Sequence, residues 1–128
     1  MRLLLDTHTL IWWALSPEKL SNRVLTQLSD SENTLSLSLV SIWEMQIKLQ
    51  LGKLTLNLPL PELIESQSQV NGLQILAIEL AHIWKLADLP NQHQDPFDRL
   101  LAAQALVEHL PLVSIDAIFD AYQVERLW

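Results

Sequence analysis

No cysteine occurs anywhere in the 128 residues. Its absence excludes disulfides, thiolate catalysis and any zinc site built on sulfur, and it suits a reducing compartment. Basic residues are also scarce, with 8 Lys and Arg against 15 Asp and Glu, for a formal charge of −7. A protein that grips nucleic acid through its own surface is usually basic. An acidic chain can still act on nucleic acid where bound metal ions supply the positive charge. No stretch reaches the roughly 18 continuous apolar residues of a membrane helix. Arg2 and the leucines after it mimic a signal peptide only weakly, because Asp6 and His8 interrupt the apolar region. A soluble, cytoplasmic protein is expected. Repeats, low-complexity tracts and linkers are absent too. The length suits one domain, residues 1–128, and an apolar content of 49% argues against disorder.

What is present is organised around Arg2-Leu3-Leu4-Leu5-Asp6-Thr7. The short apolar run reads as a strand buried on both faces, as in a parallel sheet, and Asp6 falls at its carboxyl end. Ligands of open α/β sheets bind at that edge. Further strands are expected at about 34–39, 74–78, 112–115 and, at an edge, 123–127. Helices are expected at about 9–15, 21–28, 41–51, 61–70, 79–87, 95–109 and 116–121. Ser41 is read as the start of the third helix and Gly52 as its end. Pro96 occupies a first helical turn, and 88–94 reads as a polar loop. This alternation predicts an α/β fold with a mostly parallel sheet and helices on both faces.

Four acids stand out, and each has an ordinary structural role as well. Asp6 follows a strand and precedes a helix, the place of an N-cap. Glu44 lies three residues after Ser41, a capping-box spacing, and four before Lys48. Yet Val40, Glu44, Ile47 and Leu51 share one helix face, where an unpaired charge would be costly. Asp98 suits the dipole of a helix first turn, but it shares a face with Leu101, Ala102 and Ala105 and so points toward the sheet. Asp95 is the better candidate for that helix's cap. Asp116 ends Val113-Ser114-Ile115-Asp116 and repeats the arrangement of Asp6, with Ser114 projecting to the same side. Taken singly, each acid reads as a cap or surface charge. Taken together, two end strands and two open helices. In a strand order of 3-2-1-4-5 all four would meet at one crevice. Crowded carboxylates repel and raise one another's pKa, and Mg²⁺ or Mn²⁺ would neutralise them through oxygen ligands.

Leu-Leu-Asp-Thr-His, Ser-Ile-Trp-Glu-Met, Asp-Pro-Phe-Asp-Arg-Leu-Leu-Ala-Ala-Gln-Ala and Leu-Val-Ser-Ile-Asp, in this order along the whole chain, resemble the PIN domain family, and most of all the VapC-type toxins of type II toxin–antitoxin modules. The resemblance implies a three-layer α/β/α sandwich and a ribonuclease dependent on Mg²⁺ or Mn²⁺. It implies that Asp6, Glu44, Asp98 and Asp116 are the acidic site residues, with Ser114 and Thr7 in support. It further implies an RNA substrate, a homodimer, and a small antitoxin whose tail enters the acidic pocket. Asp98 is preferred to Asp95 because the Leu-Leu-Ala-Ala-Gln-Ala run follows it at the family's spacing.

Other residues leave alternatives open. Arg99 is as suited to a substrate phosphate as to a neighbouring acid. His8 can reach the site but reads first as a packing residue. His82, His93 and His109 lack metal-binding spacing, and Lys48 and Lys53 are candidates for RNA contact that read first as solvated surface charge. The helix bearing Trp12 and Trp13 is apolar nearly all round, so it suits either a dimer or antitoxin surface or burial under the 54–60 segment. A phosphate-receiving signalling domain would need a lysine after a late strand, and all lysines precede the fourth. A haloacid-dehalogenase-like phosphatase would need Asp-x-Asp after the first strand, where His8 stands instead. A non-catalytic binding module with an acidic pocket is the remaining alternative.

Overall fold

The computed structural model describes residues 1–91 and 94–128. His93, and with it part of the expected polar loop, lies outside the described residues. Five parallel strands, β1 (Arg2–Leu5), β2 (Thr34–Ser38), β3 (Gln74–Leu76), β4 (Leu112–Val113) and β5 (Arg126–Leu127), form one sheet in the order β3-β2-β1-β4-β5. Between them run α1 (Thr7–Leu15), α2 (Asn22–Ser29), α3 (Leu39–Gln50), α4 (Leu60–Asn71), α5 (Leu80–Lys85) and α6 (Pro96–Glu108). The doubly wound α/β architecture and the expected strand order are thus observed. Among the described residues no helix is long and apolar enough to cross a membrane.

The central strand explains the layering. Leu3, Leu4 and Leu5 are all fully buried. Because side chains alternate across a strand, Leu3 and Leu5 enter one core with Leu10, Val24, Leu35, Leu37 and Met45. Leu4 enters a second core with Leu101, Ala102, Ala105, Leu112 and Phe119. The two cores are the two faces of the sheet. Trp12 and Trp13 pack against the first, as do Leu54 and Leu56, and all of Ile11 to Leu15 stay half-buried, so the helix keeps part of its apolar surface exposed.

Several boundaries differ from the sequence reading. The chain passes from β2 into α3 without a loop, because the Ser38 hydroxyl accepts from Val40 N–H at 3.0 Å and caps the helix. Ser41 therefore lies inside α3, buried, and the expected Ser41–Glu44 capping box does not form. Leu51, expected on the apolar face of that helix, is 62% exposed at its end. Strand β4 stops at Val113, and the residues after Asp116 form a 3₁₀ helix, Ala117–Tyr122. Gly72 ends α4 in the left-handed conformation (φ 65°) that glycine adopts without penalty.

Leu4 is a sensitive probe of the two-core arrangement, since it is fully buried and belongs to the second core. Leu4→Ala is expected to lower unfolding free energy by about 2–5 kcal/mol in urea denaturation, with the sheet otherwise retained.

Candidate active site

All five strands run the same way, so their carboxyl ends share one edge of the sheet. A cleft of about 540 Å³ opens there. Asp6, Glu44, Asp95, Asp98 and Asp116 line it, together with Thr7, His8, Trp12 and Lys48.

Asp6 leaves β1 only 7% exposed. Its Oδ1 accepts from Thr9 N–H at 2.7 Å and caps α1. Thr9 also reaches across the sheet, its hydroxyl donating to Val113 C=O at 2.8 Å. Burial raises the Asp6 pKa above its ordinary 3.8, against the opposing pull of hydrogen bonds from Ser114 and Thr9 and of His8. Ser114 is fully buried and does not line the cleft; it acts on it through Asp6 and by accepting from Asp116 N–H at 3.0 Å.

Glu44 projects from the second turn of α3. Its Oε1 accepts from the Thr7 hydroxyl at 2.6 Å, and its Oε2 lies 3.4 Å from Lys48 Nζ. The i,i+4 pair with Lys48 and the place on the cleft are both realised. Asp95 caps α6, its Oδ1 accepting from Phe97 N–H at 2.9 Å and Asp98 N–H at 3.3 Å, which leaves Asp98 in the first turn at the cleft. Asp116 is exposed and caps the final 3₁₀ helix through Ile118 N–H at 3.0 Å. Arg126 steadies that segment from β5, bonding both Asp120 oxygens at 2.9 and 3.1 Å and Ser114 C=O at 3.2 Å.

The structure thus gathers the four expected acids, with Thr7 and His8, around one cleft. Arg99 is turned elsewhere. Its guanidinium donates to Pro90 C=O at 2.6 Å and Leu86 C=O at 3.4 Å and stands 5.9 Å from the Tyr122 ring. Arg99 is not among the residues that line the cleft, and two backbone carbonyls take part of its donors. Lys48, read as solvated surface charge or an RNA contact, lines the cleft. So does Asp95, ranked below Asp98 as a ligand. A cap at the carboxyl edge of a parallel sheet points into the crevice by position alone, and this was the available signal.

The donor set is all oxygen, the chemistry of a hard divalent cation. A buried carboxylate whose charged form is penalised is also a group that a cation would relieve. The residues fit such an ion in kind. Among the described residues, no three of the His, Asp and Glu side chains are arranged to hold one as they stand. Cap bonds engage Asp6 and Asp116, and Thr7 and Lys48 engage Glu44. A carboxylate has about four lone-pair sites, so these bonds do not exhaust it, but coordination requires side chains to turn.

A doubly wound α/β domain with carboxylates converging on the carboxyl edge of its sheet defines the class. The chain belongs to the PIN domain family, whose model matches residues 3–125. Solved structures share the fold over nearly the full length. VapBC2 from Rickettsia felis, bound to a DNA fragment from its promoter, aligns with a TM-score of 0.74 at 16% identity, covering 99% of this chain and 98% of the other. FitAcB from Neisseria gonorrhoeae aligns with a TM-score of 0.68 at 22% identity, covering 100% and 97%. A toxin–antitoxin complex from Klebsiella pneumoniae aligns with a TM-score of 0.61 at 15% identity, covering 98% and 96%. No curated protein matches the chain.

The raised Asp6 pKa has a consequence for stability. Folded Asp6 holds its proton to higher pH than unfolded Asp6. Stability is therefore lost as pH rises from the ordinary carboxylate value through the raised one, and it stays lower above it. Asn caps a helix as well as Asp does. Asp6→Asn, melted in chelator, is expected to have a higher Tm than wild type at neutral pH. The difference should shrink in acid below the ordinary carboxylate range.

Proposed function

We propose that the protein is a metal-dependent endoribonuclease and the toxin of a toxin–antitoxin pair in the cytoplasm. The observation that carries this reading is the set of acids from four separate segments on one cleft. The family supports nuclease chemistry, and the structural neighbours named as toxin–antitoxin complexes support the pairing. A divalent ion, Mg²⁺ or Mn²⁺, would supply Lewis-acid activation of water and neutralise charge developing on a phosphodiester. Asp6, Glu44, Asp98 and Asp116 are the residues that would hold it.

The chain's own residues have defined parts. The Thr9 cap bond and Ser114 hold Asp6 against β1. Thr7 orients Glu44. Lys48 places a cation on a wall that otherwise repels phosphate. His8, exposed at the rim with its ring 5.8 Å from Trp12, offers a face to an unstacked base. The acidic cleft also suits a basic segment of an antitoxin tail, which would compete with RNA.

RNA cleavage by the purified protein with Mg²⁺ or Mn²⁺ tests the reading. Chelator, Asp6→Asn and Asp98→Asn are each expected to lower the rate by about 100-fold or more, on the scale of a loss of several kcal/mol of transition-state stabilisation. Equal cleavage by wild type and both variants overturns the assignment to this cleft.

The proposed homodimer has a second candidate surface besides the half-exposed α1. Large exposed apolar side chains of α5 and the neighbouring edge strand β3 form it: Leu80 at 64%, Trp84 at 68%, Ile83 and Ile75. Ile83→Glu with Trp84→Glu is expected to convert a dimer to monomer in sedimentation equilibrium while leaving the far-ultraviolet spectrum unchanged.

A further inference from the structure

Gln104 lies in the middle of α6 with no exposed surface, inside a run of alanines. An apolar residue would fill this place at no polar cost, so the amide's partners matter. Its Oε1 accepts from the Ser38 hydroxyl at 2.5 Å. Its Nε2 donates to Ala77 C=O at 3.2 Å and stands 3.3 Å from His82 Nδ1. The direction of each bond follows from the neighbours. Ser38 Oγ already accepts from Val40 N–H, so its one proton goes to Gln104. His82 Nδ1 already accepts from Glu79 N–H at 3.0 Å, so it is the bare ring nitrogen and its one lone pair is taken; the amide stands against the ring. The ring proton then sits on Nε2, which is buried without a hydrogen-bond partner, 3.8 Å from Glu108 Oε2.

One amide therefore joins three elements. Through Ser38 it holds the N-terminus of α3, the helix that carries Glu44. Through Ala77 it holds the chain leaving β3, and it packs against His82 at the start of α5. It belongs to α6, the helix that carries Asp98. Nearer the cleft the same two acid-bearing helices touch again: Trp43, beside Glu44, meets Phe97, beside Asp98, edge-to-face with ring centroids 5.0 Å apart. Two fastenings, one polar and internal, one aromatic and at the mouth, fix α3 against α6.

We propose that Gln104 is a positioning residue for the acidic cleft: by binding the Ser38 cap, it sets the placement of Glu44 relative to Asp98 and so the cleft's capacity to hold a divalent ion. This rests on the reading of the cleft as a metal site. Gln104 touches neither substrate nor ion.

The test uses Gln104→Leu, Ser38→Ala and the double variant. Mn²⁺ affinity is measured by calorimetric titration at a temperature where each protein is folded, with RNA cleavage alongside. Gln104→Leu is expected to weaken Mn²⁺ binding by about 10–100-fold, the scale for residues that orient ligands from behind, and to lower kcat more than it changes KM. Ser38→Ala is expected to weaken Mn²⁺ binding in the same direction. If the two act through their mutual bond, the double variant is no weaker than Gln104→Leu alone. A folded Gln104→Leu that binds Mn²⁺ as wild type does overturns the proposal, as does full additivity in the double variant. Should Gln104→Leu fail to fold, Ser38→Ala cuts the same bond from the other end, and unchanged Mn²⁺ affinity there overturns it equally. Wild type that binds no Mn²⁺ defeats the metal-site reading itself, and this inference with it; wild-type binding with unaltered variants defeats this inference alone.

Discussion

The carboxylate of Asp6, buried at the end of the central strand, is the constraint on which the site depends. A charge there is costly, and the surroundings are arranged to tolerate it: a backbone N–H from Thr9, a hydroxyl from Ser114, and the N-terminal dipole of α1. These groups come from the segments that follow β1 and β4, the adjacent strands at the middle of the sheet. The strand order that makes them neighbours also brings Asp116 to the same edge. Fold and site are thus one arrangement. A sheet in which β1 and β4 were apart would leave Asp6 without Ser114 and the cleft without one wall.

The opposition between cap and ligand dissolves on inspection of the geometry. Asp6, Asp95 and Asp116 all cap helices, and all three line the cleft. In a parallel sheet, helices that follow strands begin at the carboxyl edge, so their N-caps surround the crevice where ligands bind. A cap bond there also fixes the carboxylate's direction. Glu44 follows the same logic by other means, with Thr7 holding one oxygen and Lys48 facing the other. A structural role for an acid at this edge is part of what makes it available for chemistry.

This explains what could and could not be read from the sequence. The strand order and the convergence of four acids were legible, because buried strands appear as apolar runs and an acid at their end has a definite place. The start of α3 was not. Ser38 and Ser41 are both plausible caps on composition, and only the absence of a loop after β2 puts the boundary at Ser38. Arg99 was ambiguous because one residue's donors have no direction in a sequence; the carbonyls of Leu86 and Pro90 take two of them. Trp12 and Trp13 suited an interface or a core, and they meet both descriptions: each packs against the first core and each stays half-buried.

Gln104 was least visible of all. A glutamine among alanines on an amphipathic helix gives no sign of facing inward, and its partners Ser38, Ala77 and His82 come from three other segments. Its effect is architectural as well as local. The helices α3 and α6 belong to the cores on opposite faces of the sheet and meet at its carboxyl edge, where they carry Glu44 and Asp98; neither acid leaves the end of a strand as Asp6 does. Helices packed by alanine and leucine alone can slide by fractions of a turn at little cost, since apolar contacts are non-directional. Directional bonds from a buried amide remove that freedom. The strand-borne acid is placed by the sheet; the helix-borne pair needs a separate reference, and the buried polar network between the two helices supplies one.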